Sequence, residues 1–177
     1  MTSDAHPGLK QAIVEVFVGS AWQRCRIHLT RNAIARVPKG AQAMVAATVR
    51  SIFEQPDRVA AAAQLRHVCE TLGQRFPAVA QLLEEAEGEI LTFLDFPPEH
   101  RRQIASTNPL ERLHKELKRR SAVVGIFPTR AAVLRPFCAL LAEHNDEWLV
   151  GRRYFSETSL RKVLRPPEAA FMEAQAA

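Results

Sequence analysis

The sequence predicts a mainly α-helical chain with a little β-structure near its start. Three observations carry that reading. Apolar residues recur at helical spacing over residues 41–100 and again beyond residue 109. The breaks between these stretches fall at Gly or Pro, where helices stop. Only residues 22–27 suit a full strand, with at most a strand stub at Thr2-Ser3.

The segment Asp4 to Gly8 is turn-rich, and Leu9, Ile13, Val16 and Phe17 then recur at helical spacing until Gly19-Ser20 ends the helix. After the strand at 22–27, residues 28–37 resume a helical pattern that closes at Pro38-Lys39-Gly40. An alanine-rich helix over 41–53 stops before Gln55-Pro56. Asp57 is placed to cap the next helix, which carries Val59, Ala63, Leu65, Val68 and Leu72 towards Gly73. Beyond the break at Phe76-Pro77, residues 78–93 align Val79, Leu82, Leu83, Ala86 and Ile90 on one face, and Phe96-Pro97-Pro98 ends that helix. A helix over 109–120 buries Leu110, Leu113 and Leu117 and presents Glu111, Lys115 and Lys118 on a neighbouring polar face. The last helix, over 129–148, is kinked or split by Pro136, and Trp148 reads as core. Residues 166–177 read as a loosely ordered tail.

A chain of 177 residues buries one core with room for an appendage. No apolar run reaches the length of a bilayer span. Three widely spaced cysteines, Cys25, Cys69 and Cys138, suit reduced thiols in a cytoplasm better than a disulfide framework. The net charge of +5 is unevenly spread: residues 1–53 carry +5, residues 54–99 carry −6, and residues 101–165 carry +8. Two basic segments thus flank an acidic helical one. A polyanion such as DNA is drawn to such segments with salt-dependent affinity, although solvated basic surfaces show the same pattern.

Each basic segment holds one carboxylate at a candidate helix start. Asp4 follows the strand stub and precedes a helix, a junction where α/β folds collect ligands and metals, or where an Asp simply caps the helix. Asn108, Pro109 and Glu111 approach a capping box, and the helix dipole there also keeps a carboxylate ionised, as a metal ligand must be. Lys115, Lys118, Arg119 and Arg120 crowd beside Glu111, which capping alone does not require. Between the carboxylates lies Cys25-Arg26-Ile27-His28. Its spacing invites zinc, but a structural site needs four ligands and no second close Cys/His pair exists, so zinc is not expected. Cys25 is expected in the core and His28 near a phosphate-binding cleft, with Arg24, Arg26 and Arg31 either beside it or merely solvated.

Taken in order, Asp4-Ala5-His6-x-Gly8, Trp22-Gln23-Arg24-Cys25, His28-x-x-Arg31-Asn32, Phe93-x-x-Phe96-Pro97 and Thr107-Asn108-x-x-Glu111 resemble the catalytic region of the IS256/Mutator family of DDE transposases. The resemblance runs from about residue 2 to about residue 164, and Arg152-Arg153-Tyr154-Phe155 resembles the family's C-terminal pattern. Pro109-Leu110 and His114 depart from that pattern. The resemblance implies the C-terminal part of an RNase H-like α/β core interrupted by a large all-helical insertion. Residues 1–40 would belong to the core, 41–100 to the insertion, and 101–165 to helices completing the core. It implies Asp4 and Glu111 as catalytic metal ligands, with the triad's first aspartate upstream of Met1, so that this chain alone is expected to be inactive. It further implies Mg²⁺ (or Mn²⁺) as cofactor, and Arg24, Arg26, His28, Arg31, Asn108, Lys115, Lys118 and Arg119 as DNA contacts. DNA, at element ends and target, would be the partner of a bacterial homo-oligomer with no membrane role. The alternative is a non-catalytic helical DNA-binding or oligomerisation remnant.

Overall fold

The computed structural model describes residues 1–151 and 155–164, so the expected tail at 166–177 and most of the Arg152–Phe155 motif lie outside the described residues. Strand β1 (Thr2–Ser3) pairs in parallel with β2 (Gln23–Arg24), with Thr2 opposite Gln23 and Ser3 opposite Arg24. Helix α1 (Pro7–Val16) makes the crossover, because parallel strands cannot be joined by a tight turn. The strand expected over residues 22–27 is thus two residues long. Arg26 already belongs to α2 (Arg26–Ile34).

The four helices α2, α3 (Lys39–Ile52), α4 (Arg58–Gly73) and α5 (Pro77–Ile90) share one apolar core. Leu29, Val45, Val49, Ile52, Leu65, Leu83 and Ile90 are almost wholly withdrawn from solvent there. Asp57 caps α4 as its sequence position suggests, its Oδ1 accepting from Ala60 N–H at 2.8 Å. All five apolar residues assigned to the inner face of α5 are buried. On α4, Leu65, Val68 and Leu72 are buried, whereas Val59 and Ala63 are exposed, off the stripe that Ala61 and Leu65 begin.

A 3₁₀ turn (Thr92–Asp95) leads to α6 (Pro98–Ile104), an element not expected from the sequence. Pro98 ends nothing: it occupies the first turn of α6, where its missing N–H costs no hydrogen bond. The Arg101 guanidinium ties this turn together by donating to the carbonyls of Phe96, Pro56 and Leu94. Next come α7 (Asn108–Val124), α8 (Arg130–Val150) and α9 (Glu157–Leu164). Helix α8 continues through Pro136 rather than splitting. His100 on α6 meets Ser159 on α9 at 2.8 Å, and Lys162 pairs with Glu99 at 2.6 Å.

Three burial expectations are corrected. No residue of α7 is buried: Leu110 is 49% exposed, and Leu113 and Leu117 are half-covered. Trp148 is 62% exposed near His144, not core. On α1 only Ile13 is buried, while Leu9, Val16 and Phe17 face outward. The cause is common to all three. Their apolar stripes face space that no other described element fills. Among the described residues no helix is long and apolar enough to cross a membrane.

Thiol reactivity follows from burial. Cys25 and Cys69 are buried and Cys138 is exposed. Burial, reinforced by Glu84, Glu87 and Glu70, pushes the Cys69 thiol up to about 11. At pH 8 a thiol-specific disulfide reagent is therefore expected to label Cys138 promptly and the other two only after unfolding. The raised value also means that the unfolded chain loses the Cys69 proton first. Stability from this group is complete below pH 9 and falls as pH climbs towards 11. Immediate labelling of Cys69 in the native protein would contradict this.

Candidate active site

Asp4 directly follows β1, so its position is set by the strand pair. Cys25 N–H donates to Ser3 C=O at 2.8 Å and Trp22 Nε1 donates to Ser3 Oγ at 2.9 Å, which fixes the backbone up to Asp4. Asp4 does not cap α1. His6 does, its Nδ1 accepting from Gly8 N–H at 3.2 Å. Asp4 is thus exposed and without an ion-pair partner among the described residues, so its carboxylate remains available to a ligand.

Glu111 lies 107 residues further along the chain, in the first turn of α7, and the segment before that helix is tied to the strand pair. Thr2 Oγ1 donates to Ile104 C=O at 2.5 Å, and Arg26 N–H donates to Ala105 C=O at 3.1 Å. Thr107 then donates to Cys25 Sγ from both its backbone N–H, at 3.3 Å, and its hydroxyl, at 3.4 Å. These contacts lay residues 104–107 across the ends of both strands just before α7 begins. The capping box expected around Glu111 does not form. Thr107 is the N-cap residue without a side-chain cap bond, Asn108 and Pro109 start the helix, and Glu111 lies in the next position but one. Glu111 instead faces His28, with Oε1 and Nε2 3.7 Å apart. His28 Nδ1 is buried with no hydrogen-bond partner.

The capping role open to Asp4 is thus taken by His6 and the capping box open to Glu111 does not form; Asp4 directly follows β1, and Glu111 stands beside His28 on the helix that follows the Thr107 contact. The donors are of the kind a hard divalent cation takes, carboxylate oxygens not neutralised by Lys or Arg. They are few, since among the described residues no group of three His, Cys, Asp or Glu could hold a metal.

The basic residues divide. Lys115 and Lys118 follow Glu111 by one and two turns of α7, exposed and without ion pairs among the described residues. Asn108 and Arg31 are exposed, and Arg26 is half-covered. Arg119 is engaged: it and Arg120 both bond Glu116, and these hydrogen bonds hold the Glu116 carboxyl down to about 2. Arg24 is corrected from surface contact to scaffold. It is 8% exposed and its Nη1 lies 3.3 Å from Glu89, which also pairs with Lys10. Gln23 is scaffold too, bonding Ile90 C=O at 3.0 Å and receiving Phe93 N–H at 2.7 Å. Cys25 is core, fully buried, as expected. Sequence reasoning missed Thr107 as the link between the two halves and His6 as the cap. A Thr ahead of Asn-Pro and a His ahead of Pro-x signalled only a helix start.

A family model for "Transposase, Mutator family" matches residues 1–151. Over 154 residues the chain is 47% identical to the transposase for insertion sequence element IS1081 of Mycobacterium tuberculosis, covering 87% of this chain and 37% of that protein. It is 42% identical over 155 residues to the transposase for insertion sequence element IS406 of Burkholderia multivorans, covering 87% of this chain and 40% of that protein. The transposase for IS256 in transposon Tn4001 of Staphylococcus aureus is 31% identical over 155 residues, 86% of this chain and 40% of that protein. The chain therefore spans about two fifths of the length of these relatives.

Proposed function

The chain belongs to the Mutator family of transposases, and from that premise we propose that it carries two of the metal-binding carboxylates of an insertion-sequence transposase, Asp4 and Glu111. The observation that supports this most is the bridge from Cys25 to Thr107, which docks the start of the Glu111 helix against the end of β2, the partner of the strand that precedes Asp4. When Mg²⁺ or Mn²⁺ is bound between such carboxylates, it stabilises the attacking and leaving oxygens of a displacement at phosphorus. Asp4 and Glu111 would hold the ion, and His28 would orient Glu111 through the 3.7 Å contact. Lys115 and Lys118, then Asn108, Arg31 and Arg26, would position phosphates of the DNA on either side. In this reading β1, α1, β2 and α2 are the edge of an RNase H-like core (residues 1–40), the helices over 41–100 an insertion, and those over 101–165 its completion.

Mn²⁺ titration followed by EPR, with DNA bound, tests the metal assignment. Asp4→Asn and Glu111→Gln are each expected to weaken Mn²⁺ binding at least tenfold, while Asp146→Asn on exposed α8 leaves it unchanged. Equal binding by all variants would remove the carboxylate pair from the proposal. DNA affinity against salt tests the basic face. Losing Lys115 and Lys118 to Ala is expected to flatten the slope of log K against log[salt] by about 1.8 on duplex DNA, about 0.9 per phosphate contact. An unchanged slope would place the DNA elsewhere.

A further inference from the structure

A cleft of about 410 Å³ opens between α2 and α3, on the face of α2 that carries Arg26, Thr30 and Ile34. That volume lies within the range of small-ligand pockets, about 300–1,000 Å³. Arg26 and Arg31 line it from α2 and Arg50 from α3, with Ile34 and Phe53 among its apolar lining and Glu54 the one acid. None of the three arginines forms an ion pair among the described residues. The core is not short of anchors here: Leu29, Ala33, Val49 and Ile52 already fix the two helices together. Three unpaired guanidinium groups around an apolar floor are therefore unexplained by folding.

The mixture selects its occupant. A duplex presents phosphates outward and would meet the arginines but leave the apolar floor bare. A single strand offers both, because an unpaired nucleotide has a charged backbone and an apolar base face that stacks on aromatic and aliphatic surfaces. Guanidinium forks match phosphate oxygens in two-pronged hydrogen bonds. Arg26 joins the cleft to the carboxylate edge, since its backbone N–H bonds Ala105 C=O two residues before Thr107. His28 and Arg31 are separated by less than one helical turn, about 4.5 Å along the axis.

Resting on the DNA reading above, we propose that this cleft binds one unpaired nucleotide of a DNA strand whose neighbouring phosphodiester lies at Asp4 and Glu111. Arg31 and Arg50 grip its flanking phosphates, and the floor at Ile34 and Phe53 takes its base. Helix α3 thereby contributes directly to the nucleic-acid interface, a role none of its residues holds in the assignment above.

The test compares two labelled DNAs by fluorescence anisotropy on the intact chain, one a blunt duplex and one the same duplex with a four-nucleotide 3′ overhang. Arg31 and Arg50 are exposed, so the double variant Arg31→Ala/Arg50→Ala is expected to fold, and circular dichroism verifies it. Arg66→Ala, exposed on α4 and outside the cleft, matches part of the charge change. The parent is expected to prefer the overhang DNA. The double variant is expected to lose at least tenfold in affinity for the overhang DNA and less than threefold for the blunt duplex, with Arg66→Ala within twofold on both. Equal losses on the two DNAs, or none on either, overturn the proposal. The Lys115→Ala/Lys118→Ala variant separates the two levels of failure. If it weakens both DNAs while the arginine variant changes neither, the cleft assignment alone falls. If neither variant affects either DNA, the DNA-binding reading falls with it.

Discussion

Asp4→Asn or Glu111→Gln is expected to abolish metal-dependent strand cleavage, by about a thousandfold or more, in a chimera where residues 1–151 replace the matching segment of the Mycobacterium tuberculosis transposase. The magnitude follows from how carboxylates sharing a metal act: as one unit, so that losing either removes most of what the set provides. Each substitution is nearly isosteric and falls on an exposed side chain, so the fold should survive it. DNA affinity should stay constant or rise, since one negative charge leaves the path of the phosphates. Loss of cleavage with retained binding is the diagnostic combination. Cleavage within tenfold of the parent chimera would show that the strand edge described here is not where phosphorus chemistry occurs.

The largest stability effect is expected at Leu83, fully buried on α5 at the centre of the four-helix core. Leu83→Ala removes buried methyl groups and leaves a cavity that helices pinned on three sides cannot close. A cost of about 2–5 kcal/mol follows, enough to unfold a large share of a marginally stable domain. Urea unfolding should show a lower midpoint at unchanged slope. Leu141→Ala on α8 is the comparison, because Leu141 is already 43% exposed and its truncation should cost no more than about 0.5 kcal/mol. Equal shifts for the two leucines would mean that the core is not where burial places it.

The helical middle of the chain was legible because its cues are local. Asp57 caps α4 and Val79 to Ile90 line one face of α5, both readable from spacing alone. The ends were less so. Leu110, Leu113 and Trp148 have the periodicity of core residues, and periodicity reports an amphipathic face without reporting whether anything covers it. Pro98 misled because a proline both stops a helix and starts one. At the site, Asp4 and Glu111 were identifiable as residues, whereas the docking of the Glu111 helix start onto the strand pair depends on Thr107 meeting Cys25 across 82 positions, a pairing no local pattern encodes. Arg24 shows the reverse error. A basic residue in a basic segment reads as surface, and only its tertiary partner Glu89 marks it as interior.

Helix α7 has an anchored beginning and no buried side chain along its 17 residues. Its length of about 25 Å makes it a lever whose pivot is the Thr107 junction, with Glu111 about 6 Å from that pivot. A tilt of about 10° would carry the distal end through roughly 4 Å yet shift the Glu111 backbone by only about 1 Å, by the same helical dimensions. Under the proposed function, the acid thereby keeps its station while Lys118 and the residues beyond it sweep an arc, so the grip on a bulky polymer can adjust without detuning the chemistry.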